Sequence, residues 1–170
     1  MTVLKGDTIR QFFQEHENVQ VRVETKGNGV DVAALEIWRV PANAIVTVAG
    51  SRREIDPPKE RIECIMLEEI EWFFLKQGKY EAVLPRIVIP SDSVVLAFPR
   101  STFNRLHGFY MLPTALWDSG FAARGTLSFE VRVKELRFPR DEPLFQLVAL
   151  RAETVTEEQL YGGHWQEKRS

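Results

Sequence analysis

The sequence predicts a mostly β fold, a barrel or jelly roll with one or two short helices. Three observations carry that prediction. Runs in which apolar and polar residues alternate with period two recur along the chain, as half-buried strands require. Prolines stand between the runs, at Pro57-Pro58, Pro85, Pro90, Pro113, Pro139 and Pro143. Proline cannot donate to a central ladder, so these positions are expected to mark turns and strand ends. Finally, 170 residues suit one domain, and 44% apolar with 27% charged residues is the balance of a globular protein.

In chain order, Gly6 to Glu17 reads as a short helix, with Asp7 able to cap it and Ile9, Phe12 and Phe13 at helical spacing. Val19, Val21 and Val23 then alternate with polar residues, and Gly27-Asn28-Gly29 is a turn. Strands are expected over Val32–Val40, Ala44–Val48, Ile62–Phe74, Tyr80–Leu84, Val94–Phe98, Thr126–Val133 and Phe145–Leu150. Ile62–Phe74 is ambiguous, because Leu67, Ile70 and Phe74 equally mark one helical face. Residues 1–156 are expected to form the β domain. Residues 157–170, polar and carrying Gly162-Gly163, are expected to form a flexible arm.

Composition excludes several functions. A net charge of −2 lacks the basic excess of a duplex-binding surface, so no nucleic-acid partner is expected. No apolar run approaches the roughly 20 residues of a membrane helix, and the start of the chain has no signal-peptide pattern, so the expected location is cytoplasmic. The single cysteine, Cys64, has no internal disulfide partner and reads as a small apolar residue. The three histidines, His16, His107 and His164, are scattered, and one cysteine rules out the zinc set of nucleobase deaminases. Phosphate-binding glycine loops and the G-x-S-x-G elbow are absent.

The informative segment runs from Ile87 to Val131. It contains, in order, Ile89-Pro90-Ser91-Asp92, Arg100-Ser101-Thr102-Phe103-Asn104-Arg105-Leu106, Thr114-Ala115, Asp118-Ser119-Gly120-Phe121 and the strand Thr126 to Val131. Flanking it are Gly29-Val30-Asp31-Val32, Gly78-Lys79-Tyr80, Leu144-Phe145-Gln146-Leu147 and Tyr161-Gly162-Gly163-His164-Trp165-Gln166. Each motif alone is weak, but the ordered set spans nearly the whole chain and resembles the dCTP deaminase/dUTPase superfamily. The chain departs from the pattern in a longer Gly120–Glu130 stretch, with Ala122-Ala123 as the excess, and in Ser119 where proline is usual. Its ending resembles archaeal-type members rather than common trimeric dUTPases.

A triphosphate calls for arginine and hydroxyl groups, and Arg100, Ser101, Thr102 and Arg105 supply both within one turn. A solvated surface turn is the plainer account of the same residues. Asp118 reads either as an Asx-turn residue or, by resemblance, as the carboxylate beside the deoxyribose that orients water. Trp117 and Phe121 read as core residues or as neighbours of the sugar. Thr126, Ser128 and Glu130 share one strand face opposite Leu127, Phe129 and Val131, so they line either solvent or a cleft. The resemblance makes Glu130 a proton shuttle for deamination, accompanied by Arg105. It also implies a dUTPase-like β-clip, a homotrimer with sites between subunits, and Ser128, Gln146, Tyr161, His164 and Gln166 as further nucleotide contacts. Mg²⁺ would arrive on the triphosphate rather than in a protein cage. Asp31 reads as a capping residue or as a group near Mg²⁺ or the interface. The expected activity is dCTP deamination, with dUTP diphosphatase activity in the same site. A dUTPase alone, or a non-catalytic nucleotide-binding protein, are the alternatives.

Overall fold

The computed structural model describes residues 2–13, 23–49, 52–111, 116–160 and 162. Strands dominate, and all the pairings between them are antiparallel. Of the expected barrel or jelly roll, no closed barrel is seen among the described strands, which form two 6-stranded sheets and a separate two-stranded hairpin. The first sheet runs, in spatial order, Leu116–Trp117, Ser93–Pro99, Pro143–Arg151, Gly29–Ala33, Val23–Lys26, with Thr2–Val3 added on Pro143–Arg151. The second runs Tyr110–Met111, Ala122–Pro139, Ile70–Val88, Glu36–Val40, Glu60–Arg61, with Ile65–Leu67 added on Ile70–Val88.

The sheets pack face to face through one aromatic core. Phe129 of the second sheet lies 6.2 Å, ring to ring, from Phe145 of the first, and Phe109 bridges them at 5.1 and 5.8 Å. Phe129 and Phe145 are fully buried, and each such side chain contributes about 1.5–3 kcal/mol through lost contact with water. The short helix Ser101–Arg105 joins this cluster through buried Phe103, which meets Phe109 and Phe138.

Several sequence expectations change in detail. The first helix covers only Gly6–Arg10, because Phe13 bridges to Ile87 and Val88 donates to the Phe12 carbonyl. Residues beyond Phe13 in that expected helix, and Val19 and Val21, fall outside the described residues. Val32–Val40 is two strands on different sheets, since the chain crosses over at Ala34-Leu35. The ambiguous Ile62–Phe74 stretch is not helical: Ile65–Leu67 and Ile70–Val88 form a hairpin turned at Glu68 and Glu69, both at positive φ. Tyr80–Leu84 and Thr126–Val133 are parts of the long strands Ile70–Val88 and Ala122–Pro139. Pro85 does not end its strand; it sits in a register irregularity opposite Arg124 to Thr126, where a missing donor is tolerated. No described helix is long and apolar enough to cross a membrane.

Candidate functional site

Three groups of side chains hold the sequence-predicted site residues, and the fold sets them apart. The first surrounds Arg100, which ends the strand Ser93–Pro99 and precedes the helix Ser101–Arg105. Its Nε donates to Asp31 Oδ2 at 3.0 Å, and its Nη1 donates to Glu142 Oε1 at 2.8 Å and to the Pro143 carbonyl at 3.1 Å. Asp31 is 4% exposed, and its Oδ1 is buried with no hydrogen-bond partner among the described residues. Gln146 stands directly opposite Asp31 in the ladder, so it shares this face. Ser101, Thr102 and Arg105 are exposed, and among the described residues Arg105 has no hydrogen-bond or ion-pair partner.

The second group centres on Glu130. The expected alternation holds: Leu127, Phe129 and Val131 are buried, while Thr126 and Ser128 are exposed and Glu130 is half-buried. Arg132, two residues on and therefore on the same face, donates from Nε to Glu130 Oε2 at 3.0 Å. Tyr110 stands opposite Glu130, and the Arg132 guanidinium lies 4.5 Å over its ring. His107, at positive φ, places Nδ1 3.1 Å from the Tyr110 hydroxyl. Lys79 is the neighbour of Glu130 on the other side. The chain runs from Arg105 through His107 to Tyr110, so the structure brings Arg105 and Glu130 to the same end of the molecule.

The third group is the turn at Asp118. Asp118 is exposed, its carbonyl accepting from Phe121 N at 3.1 Å. Buried Ser119 donates to the Ser93 carbonyl at 2.8 Å, and Gly120 N donates to the Ile89 carbonyl. Gly120, at φ 83°, leaves space filled by Leu160: a Cβ there would come within 2.8 Å of Leu160 Cδ2. The start of the expected arm therefore packs on the Asp118 turn. Trp117 and Phe121 resolve to core, 8% and 5% exposed and stacked at 6.1 Å. Gly125 makes room for the Trp117 ring, which a Cβ would strike at 2.6 Å.

Distances along the strands show what one chain cannot assemble. Asp118 sits near Ser93 and Arg100 follows Pro99, about 20 Å apart along that strand at roughly 3.3 Å per residue. Glu130 is about 25 Å along its strand from Ala122, which follows the Asp118 turn. Gln146 and Glu130 lie on opposite outer faces, because each is the neighbour of a phenylalanine, Phe145 or Phe129, that points into the shared core. Thr114, Ala115, Tyr161, His164, Trp165 and Gln166 fall outside the described residues. Among the described residues no cluster of three or more His, Cys, Asp and Glu side chains could hold a metal ion. A small cleft near Glu36, Glu71 and Arg140 contains Cys64, whose thiol pKa is pushed up by burial.

A protein of Archaeoglobus fulgidus named probable deoxyuridine 5'-triphosphate nucleotidohydrolase is 32% identical to this chain over 165 residues, covering 92% of each. The chain belongs to the dCTP deaminase/dUTPase superfamily. A second member of that superfamily, from Methanococcoides burtonii and carrying the same name, is 29% identical over 173 residues and 98% of each chain. No family model matches. Among solved structures, the 2'-deoxycytidine 5'-triphosphate deaminase of Agrobacterium tumefaciens superposes with a TM-score of 0.61 at 15% identity. That match covers 86% of this chain but 47% of the deaminase, so this chain spans about half its length and the likeness is one of fold.

The sequence reading did not single out Glu142, Arg132, Tyr110 or Leu160. Arg132 had a legible signal, since a cation two residues from Glu130 on a strand must share its face. Glu142 and Leu160 had none, because their partners lie far away in sequence.

Proposed function

We propose that this superfamily member hydrolyses pyrimidine deoxynucleoside triphosphates, taking dUTP to dUMP and pyrophosphate. The observation that carries the reading is similarity over nearly the whole chain to proteins named probable dUTP nucleotidohydrolases. Asp118 is an exposed carboxylate on a turn fixed by the two residues that follow it, Ser119 to Ser93 and Gly120 to Ile89. Such a group can orient a water for attack at phosphorus, with pyrophosphate leaving. Arg105, Ser101 and Thr102 offer the charge and hydroxyls that hold the phosphates. The nucleotide is expected as its Mg²⁺ complex, with the ion held by phosphate oxygens and water.

Glu130 supports a second reaction, the one its sequence context put first. It is half-buried and paired with Arg132, which supports reading it as a base for deaminating dCTP. It would take a proton from water as the oxygen bonds to C4, then deliver one as the C4–N4 bond breaks, yielding dUTP and ammonia. Both readings need groups from more than one copy. The separation of Glu130 from Gln146 and Asp118 within one chain supports a homotrimer with sites between subunits.

The test is to incubate the protein with dUTP and with dCTP, measuring pyrophosphate and ammonia separately. Pyrophosphate from dUTP is expected, falling by about 10²–10⁴ in Asp118→Asn. Ammonia from dCTP, lost by a similar factor in Glu130→Gln, would establish the second reaction. Tight nucleotide binding with neither product would make the chain a binding protein.

A further inference from the structure

Resting on the triphosphate reading above, we propose that Arg100 does not bind phosphate. It acts as a strut that positions the Ser101–Arg105 segment, and Asp31 and Glu142 are the acids that hold it. Arg105 is then the cation that meets the triphosphate.

Three observations carry this. The Arg100 guanidinium already has three acceptors within its own chain: Asp31, Glu142 and the Pro143 carbonyl. Two of those are carboxylates against one cation, so the cluster carries formal charge −1 and repels rather than draws a polyanion. Turning Arg100 outward would leave Asp31, 4% exposed and with one oxygen unpartnered, as a buried charge without a counter-ion among the described residues. The connections match a strut. Asp31 lies on Gly29–Ala33, Glu142 precedes the strand Pro143–Arg151, and the Arg100 amide donates to the Leu144 carbonyl at 2.9 Å. Arg100 thus ties two strands of the first sheet to the segment whose exposed groups are Ser101, Thr102 and Arg105. Asn104 N donates back to the Arg100 carbonyl at 3.2 Å, so the orientation of Arg100 passes directly into the helix.

A phosphate ligand and a strut differ in what loss of the Glu142 carboxylate does to phosphate discrimination. Equilibrium binding of the non-hydrolysable α,β-imido-dUTP and of dUMP gives that discrimination as a ratio of dissociation constants. In Arg105→Gln the preference for the triphosphate should collapse by about tenfold or more, the scale of one charge-assisted contact. Glu142→Gln should also lower the ratio several-fold, because a loosened strut misplaces Arg105; a phosphate-binding Arg100 would instead be freed by the loss of that carboxylate, and the ratio would hold or rise. Arg100→Gln should weaken both ligands, and adding Asp31→Asn should restore binding, because the double variant removes the stranded buried charge along with its partner. Glu142→Gln keeps the result readable if Arg100→Gln does not fold. A ratio that holds or rises in Glu142→Gln overturns the strut. So does an Arg100→Gln, Asp31→Asn protein that folds but binds no better than Arg100→Gln alone. A wild-type protein with no preference for the triphosphate over dUMP overturns the nucleotide reading itself, and the strut with it.

Discussion

Arginines five residues apart in one segment differ in what their removal should cost. Arg100→Ala leaves the carboxylate of Asp31 buried and unpaired, a loss of about 3–5 kcal/mol in unfolding free energy. Arg105 is exposed and has no partner among the described residues, so Arg105→Ala should stay within about 0.5 kcal/mol. Urea denaturation of the two variants checks this directly, and equal losses would contradict it. Asp31 itself was readable in the sequence only as one of several kinds of residue. Its pairing needs Arg100, which stands far along the chain and reaches it only because Pro143–Arg151 lies between their strands. The same holds for Glu130: its face followed from strand period, while Tyr110 beside it depends on a pairing that no local pattern announces.

Among the elements, the turn from Asp118 to Phe121 is the one on which the proposed hydrolysis rests. It is held by side-chain and backbone bonds to Ser93 and Ile89, and Leu160 closes over it. Gly120 is required twice, by φ 83° and by the Leu160 contact. Gly120→Ala should therefore destabilise by about 1–3 kcal/mol, the range for a residue forced into left-handed backbone. Thermal unfolding of Gly120→Ala beside a Gly120→Ala, Leu160→Ala double variant separates the two causes. The double variant should recover the part due to contact and keep the part due to φ. The long strands teach a related lesson. Proline and the motif boundaries cut Ile70–Val88 and Ala122–Pro139 into short predicted pieces, yet the observed strands run through, with register irregularities at Arg124/Thr126 and Val131/Glu135. A bulge absorbs a residue that local rules read as a stop.

At the scale of the whole molecule, a face-to-face sandwich cannot place both of its outer faces in one cleft. Glu130 and Gln146 sit on opposite outer faces, so an active site using both requires neighbouring copies. Sedimentation should give a species near three times 19.6 kDa, and full activity from a monomer would refute a site between subunits. The proposed arm is tested by deletion from Glu157 onward. Folding and assembly should survive, while nucleotide affinity and turnover should fall. Because Leu160 is lost with the arm, a small drop in melting temperature is also expected. Wild-type turnover in the truncated protein would make the segment a tail without a role.

The sequence by itself determined the class of the fold, the alternation that buries Leu127, Phe129 and Val131, the superfamily and the order of its motifs. These are local facts: a period of two, a proline, a run of residue types. The tertiary structure decided that the strands form two stacked sheets instead of a closed barrel, that Trp117 and Phe121 belong to the core, and that Arg100 answers to Asp31 and Glu142. Each of those depends on which distant strands become neighbours. Burying the aromatic core selects that arrangement among the many that the same alternation permits.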